Sequence, residues 1–115
     1  IETAMRDWLF GVNPWGKCMI IALPENGDYP VDPHAPISKM GNYRLDGGVI
    51  DGPVYANIYK SLWGIHLRNE DTYARFHNIA VYHDDYSDYS TNEPTMDGTA
   101  CLTYFLGCLA AEAEK

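Results

Sequence analysis

The chain of 115 residues is 46% hydrophobic, 21% charged and 13% aromatic, which supports one domain with one modest core and excludes two. The same composition excludes intrinsic disorder, because such a chain buries enough apolar surface to offset its ordering entropy. A formal net charge of −8 argues against nucleic acid, whose phosphates need a basic face, and against an anionic membrane surface, leaving neutral or cationic partners.

No apolar run approaches the roughly 20 residues of a membrane span. The chain opens on Ile1, not on methionine, so the original start is expected to have been removed or to lie upstream. A missing signal peptide is therefore silent about destination. Cys18, Cys101 and Cys108 are odd in number and lack Cys-x-x-Cys spacing, so neither a disulfide framework nor a thiolate zinc site is expected. Cys101 and Cys108 lie in an apolar segment and are expected in the core.

In chain order, "IETAMRDWLFGVNPWG" opens as a helix: Ala4, Met5, Trp8 and Leu9 recur at helical spacing, with Gly11 and Pro14 as the stop. "KCMIIALP" is a short apolar run, open between a strand and a buried loop. From Pro24 to Gly52 prolines and glycines punctuate a long irregular region, of a length that is usually functional. "PVYANIYKSLWGIHL" carries Val54, Ile58, Leu62 and Ile65 on one stripe, which predicts an amphipathic helix of three to four turns. "DTYARFHNIAVYH" predicts a second, shorter helix. Pro94 to Lys115 gives the clearest one, with Pro94 near its start and Asp97 at the positive end of its dipole. Its core, "ACLTYFLGCLAA", is apolar nearly all round, as in a helix buried on every side. Too few helices are available to surround it, so it is expected inside a larger body. The fold class is mainly α with long loops, without repeats or low-complexity tracts.

Before that helix, "HDDYSDYSTNEPTMDGTA" concentrates five carboxylates. Glu93 leads them, at the junction of an acidic, aromatic loop with an apolar helix. Partial desolvation there, and the negative charge of Asp84, Asp85 and Asp88, would raise its pKa toward that of a general acid. A helix-capping carboxylate is the plainer alternative. The three aspartates lack the alternation and glycine of an EF-hand, so a solvated acidic turn is favoured over calcium. His34 sits between Pro33 and Pro36, whose restricted backbone would fix an imidazole, although a lone loop histidine is also commonly just solvated. His66, His77 and His83 share no metal-site pair spacing, so no metal ligands are expected. Trp15, Tyr29, Tyr43, Tyr55, Trp63, Tyr86 and Tyr89 lie in or beside the loops, where they suit either sugar stacking or packing. "RLDGGVIDGP" reads as turns. No phosphate-loop, dinucleotide or serine-hydrolase motif occurs.

"DWLFGVNPWG", "YPVDPH" and "YHDDYSDYSTNEPTMDGTA" together resemble the closing third of the catalytic module of glycoside hydrolase family 9, mostly endo-β-1,4-glucanases (cellulases). The resemblance covers nearly the whole chain in the family's order. Its most specific pattern, aromatic-x-Asp, four residues, aromatic, three residues, Glu, is met by Tyr82, Asp84, Tyr89 and Glu93, followed by Thr95. By resemblance Glu93 is the general acid, Asp84 belongs to the active site and His34 contacts the sugar. Three positions depart: Tyr86 stands where the family often has Arg, Thr99 where it has Asn, and Pro36 where it often has Arg.

The resemblance implies an (α/α)6 barrel of which this chain, 1–115, is a C-terminal portion. It further implies inverting hydrolysis of β-1,4-glucosidic bonds, with Glu93 and Asp84 as catalytic residues and His34 and Tyr89 as substrate contacts; Trp15 and Tyr86, from the loop aromatics, are added as expected substrate contacts. The family's base, from an upstream Asp-Ala-Gly-Asp motif, is absent here. Asp46 or Asp51 as a substitute is a further idea. No cofactor is required for the chemistry, and a structural calcium elsewhere in the module is compatible with the family. The expected partner is a β-1,4-glucan, together with either a missing upstream part of the same chain or an oligomer. The parent protein is expected to be extracellular or periplasmic. The competing expectation is a non-catalytic glucan-binding or assembly protein.

Overall fold

The structure, a computed structural model, describes residues 1–114. Helix α1, Glu2–Leu9, forms where predicted, with Glu2 in its first turn and Arg6 in its last. Gly11, at φ 108°, adopts a backbone conformation that side chains disfavour, so the chain reverses directly after the helix. The Asn13 amide fixes that reversal by donating to the carbonyls of Trp8 and Lys17, each at 2.8 Å.

The run from Lys17, open between strand and loop in the sequence, is a buried extended segment to Ile20 that turns at Ile21 and Ala22, where Ala22 has φ 63°. Met19 and Ile21 face a cluster with Ile50 and Tyr82, while Cys18 and Ile20 face another with Val49 and Leu102. That alternation is the period of two of an extended chain. Ile20 makes an antiparallel bridge with Val49.

Helix α2, Pro36–Gly41, has proline in its first turn and ends at Asn42 in the left-handed region. Four two-residue strands follow: β1 (Val49–Ile50), β2 (Val54–Tyr55), β3 (Ala80–Val81) and β4 (Pro94–Thr95). Strand β1 pairs antiparallel with β4, Val49 opposite Thr95, and β2 with β3, Val54 opposite Val81.

These pairings correct two expected helices. The stripe from Val54 to Ile65 gives only β2 and the one-turn helix α3, Ala56–Tyr59, with a turn at Gly64. Val54 is committed to the sheet, and Ile58, 50% exposed, finds no core to face. The segment "DTYARFHNIAVYH" contains a 3-10 turn, Ala74–Phe76, and then β3. Strand pairing has overridden a local helical period.

Helix α4, Met96–Ala113, is the long terminal helix, with Asp97 in its first turn as expected. It begins later than predicted, because Pro94 and Thr95 pair with β1. Leu102, Phe105 and Leu106, at spacings of three and one, form the stripe that packs on Cys18, Ile20 and Val49. Within this chain it is not buried on every side: of its described residues only Leu102 is buried and Tyr104 is 77% exposed, which leaves the expected cover to a larger body. Cys101 and Cys108 are exposed and not in the core. One layer of chain covers one face of the helix and leaves the rest of its apolar surface in solvent.

Candidate functional site

The three aspartates of the 83–93 loop are not a solvated turn. Each carboxylate collects donors from a different part of the chain. Asp84 accepts the Lys17 ammonium at 2.9 Å, the Val31 and Asp32 amides at 2.9 Å each, and the Asn92 side-chain amide at 3.3 Å. Asp85 accepts the amides of Arg68, Asn69 and Ser87 at 2.6–2.8 Å. Asp88 accepts His83 Nδ1–H at 2.6 Å, the Tyr59 hydroxyl at 3.0 Å, and the Ser90 and Thr91 amides at 3.0 Å.

Burial alone would push the Asp85 and Asp88 carboxyls up. Hydrogen bonds from amides at Asp85, and from His83, Thr91 and Tyr59 at Asp88, outweigh it and hold both below the usual carboxylate range. Burial would likewise lower Lys17, yet the charge and hydrogen bond of Asp84 keep its ammonium above the ordinary lysine value. With all these oxygens engaged internally, none of the three aspartates is left as a calcium ligand set.

Asp84 thus acts as a clamp between the 29–34 loop and the loop that carries Glu93. Asn92 completes it, fully buried, donating to the Asp32 carbonyl at 2.9 Å and accepting the Tyr82 hydroxyl at 3.3 Å. The His34 amide donates to the Asn92 carbonyl at 2.8 Å, so His34 is joined by main chain to the residue before Glu93. Its Nδ1 bonds the Tyr86 carbonyl. A carbonyl only accepts, so Nδ1 carries the proton and Nε2 is the nitrogen left over.

The His34 ring lies 5.3 Å from that of Tyr86 and edge-on to that of Tyr89 at 6.2 Å. The Lys39 ammonium and Arg68 guanidinium flank the Tyr86 ring at 5.4 and 5.8 Å. Tyr89 donates its hydroxyl to the carbonyl of Trp63, whose own side chain is 86% exposed. His34, Tyr86 and Tyr89 are therefore brought together on one polar, aromatic surface.

Trp15 is not among them. It packs edge-on against Trp8 and Tyr82 and tilted against Phe76, at 5.8–6.4 Å, on the core cluster. The reason is the Asn13 turn, whose side-chain oxygen accepts the Trp15 amide at 3.1 Å and fixes the indole over the core.

Glu93 is anchored by its backbone: its carbonyl accepts the Asp51 amide at 3.0 Å, and Gly52, at φ 80°, brings its own amide to the Thr91 carbonyl. The Glu93 side chain is exposed, and neither a hydrogen bond nor an ion pair engages it among the described residues. The expected partial desolvation is therefore absent, because nothing within the described chain covers it. Nor does Glu93 cap α4: the N-cap residue is Thr95, without a side-chain cap bond. Asp51 is its acidic neighbour. Burial, then the charges of Glu93 and Asp97, raise the Asp51 carboxyl above its ordinary value. Asp46 instead pairs with Arg44, at 2.7 Å from Nη2 to Oδ2, and is exposed.

The fold also joins three residues that spacing left apart. Asp71, His77 and His83 each place a possible ligand atom within 4.8 Å of the others. Sequence reasoning missed this group, and it missed Lys17, Asp32 and Asn92 as builders of the site. A lysine opening an apolar run was the one available signal, since such a lysine needs a buried counter-charge.

Comparison with curated proteins finds no match, and neither does comparison with solved structures. The family model described as glycosyl hydrolase family 9 matches residues 1–106, which hold the Asp84 clamp, the aromatic surface and Glu93. The chain belongs to glycosyl hydrolase family 9.

Proposed function

We propose that this chain supplies the acid half of an inverting endo-β-1,4-glucanase, with Glu93 as the general acid and a β-1,4-glucan as substrate. One observation carries the reading. Of the carboxylates between Asp84 and Glu93, the three aspartates are consumed by internal donors, while Glu93 is fixed by main chain and has its side chain free. A proton donor needs that combination of a fixed backbone and an unoccupied carboxyl.

Glu93 protonates the glycosidic oxygen as the bond to the anomeric carbon breaks. A water activated by an upstream carboxylate attacks the opposite face, and inversion requires roughly 6.5–9.5 Å between the two carboxyls to admit it. His34 offers Nε2 to a sugar hydroxyl, and Tyr86 and Tyr89 offer ring faces to sugar C–H groups. Asp84 is a positioning residue, acting through the 29–34 loop and Asn92. The remainder of an (α/α)6 barrel would cover Glu93 and the exposed faces of α4. The whole enzyme works on extracellular or periplasmic glucan.

The test is release of reducing ends from soluble β-1,4-glucan by a protein that also contains the upstream base. Glu93→Gln lowers the rate by about 10²–10⁴. An unchanged rate means that another group is the acid.

A second reading is favoured by the raised carboxyl of Asp51 beside Glu93: Asp51 serves as the base, and the 115 residues are active alone. Activity of the isolated chain, lost in both Glu93→Gln and Asp51→Asn, would establish it. Retention on cellulose without hydrolysis in either form of the protein would favour a glucan-binding module instead.

A further inference from the structure

We propose that Asp71, His77 and His83 form a binding site for a zinc-class divalent cation, separate from Glu93 and independent of the reaction proposed above. Three side chains from the 71–83 segment converge there. Asp71 Oδ2 stands 3.5 Å from His77 Nδ1 and 3.5 Å from His83 Nε2, and the two imidazole rings lie 4.8 Å apart at 82°. At 3.5 Å these contacts are too long for good hydrogen bonds. They match the edge of a tetrahedron, about 3.3 Å between ligands for metal bonds near 2.0–2.1 Å.

At Asp71 and His83 the remaining atoms are already assigned in the way a metal site requires. Asp71 Oδ1 accepts the Tyr73 amide at 3.0 Å, which leaves Oδ2 toward the imidazoles. His83 Nδ1–H donates to Asp88 at 2.6 Å, so its Nε2 carries a lone pair. A carboxylate on the far nitrogen is the usual support of a metal-binding histidine, fixing both tautomer and ring orientation. Asp88 is in turn held by the Tyr59 hydroxyl and two backbone amides. His83 is 5% exposed, and the ring of His77 leaves Nε2 buried without a hydrogen-bond partner among the described residues.

Two imidazole nitrogens and one carboxylate suit zinc or a neighbouring transition ion, whereas calcium takes six to eight oxygens. Asp71 and His83 also border a cavity of about 530 Å³ lined in part by Lys17, Asn69 and Asp84. That cavity gives an ion a way in and leaves room for water as a fourth ligand. Bound there, the ion ties the 71–77 segment to the start of the 83–93 loop.

The full chain with Cys101→Ser and Cys108→Ser, which removes the exposed thiols as competing ligands, is titrated with zinc chloride and, separately, with cobalt chloride. One zinc per chain retained through gel filtration, visible cobalt absorption of a tetrahedral site and a raised thermal midpoint are expected. His77→Ala, at a half-buried position outside the Asp88 network, weakens zinc binding at least tenfold, and Asp71→Asn does the same. Far-UV circular dichroism checks that each variant remains folded, and His77→Gln replaces any variant that does not. A parent chain that retains no zinc overturns the proposal, as does zinc binding that His77→Ala and Asp71→Asn leave unchanged.

Discussion

The ammonium of Lys17 stands 2.9 Å from the carboxylate of Asp84, and the two side chains are only 7% and 11% exposed. They lie 67 positions apart in sequence. Breaking such a pair from one side leaves a charge out of water, which costs about 3–5 kcal/mol. Lys17→Met and Asp84→Asn should each lower the unfolding free energy measured in urea by that order. The double variant should recover part of the loss but not all of it, because the Val31 and Asp32 amides also lose their charged acceptor. Full recovery would mean that the ion pair, and not the loop clamp, is what Asp84 supplies.

Asp85 contributes to the acid limb of stability. Its folded carboxyl lies below the unfolded value of about 3.9. The stabilisation it gives is present above that value and is lost as pH falls through the lower, folded one. Asp32 and Asp88 act in the same direction, and Asp51, whose carboxyl is raised, acts against them. Urea midpoints should therefore be level from pH 7 to about pH 5 and fall below about pH 4. The unfolding free energy of Asp85→Asn should start about 1–3 kcal/mol lower at pH 7 and decline less steeply. An equally steep decline in the variant would remove Asp85 from the account.

Tyr86 and Tyr89 separate binding from packing. Under the proposed function each supplies a ring face to sugar, and replacement by alanine should weaken retention on soluble β-glucan in affinity electrophoresis by about three- to tenfold. Trp15→Phe should leave retention unchanged and lower stability by about 1–2 kcal/mol, because that indole packs on the core. The reverse pattern would place the sugar on the Trp15 side.

Helix α4 presents Tyr104, Cys108 and neighbouring small residues to solvent. The isolated chain should self-associate in sedimentation experiments at micromolar concentration, as exposed apolar faces do. Tyr104→Lys should reduce that association without changing helix content. A well-behaved monomer with a sharp thermal transition would argue that α4 needs no cover.

Elements whose signal is local were legible in the sequence. Helix α1 could be read from its spacing and its Gly11 stop, and α4 from its length and composition. His34 and Tyr89 were reached through resemblance and Tyr86 as one of the loop aromatics, none of them through spacing. Two helical periods failed because Val54 and Val81 pair with each other across 27 positions, which no local window registers. The roles of Asp85 and Asp88 were hidden for the same reason: their donors on Arg68, Asn69 and Tyr59 come from other segments. Glu93 was singled out, but its surroundings were not, since a junction with an apolar helix does not by itself cover a side chain.

The Asp84 clamp also has a consequence for the order in which the chain folds. Its bonds to Val31 and Asp32, and the bond from Asn92 to Asp32, span 52 to 60 positions. Closing loops of that size costs entropy before any contact rewards it, and folding slows as contacts become less local. The α1 reversal, held by Asn13 over four and five positions, can form early and alone. The loop that carries Glu93 can settle only after the two halves of the chain have met. It should be the last part to form.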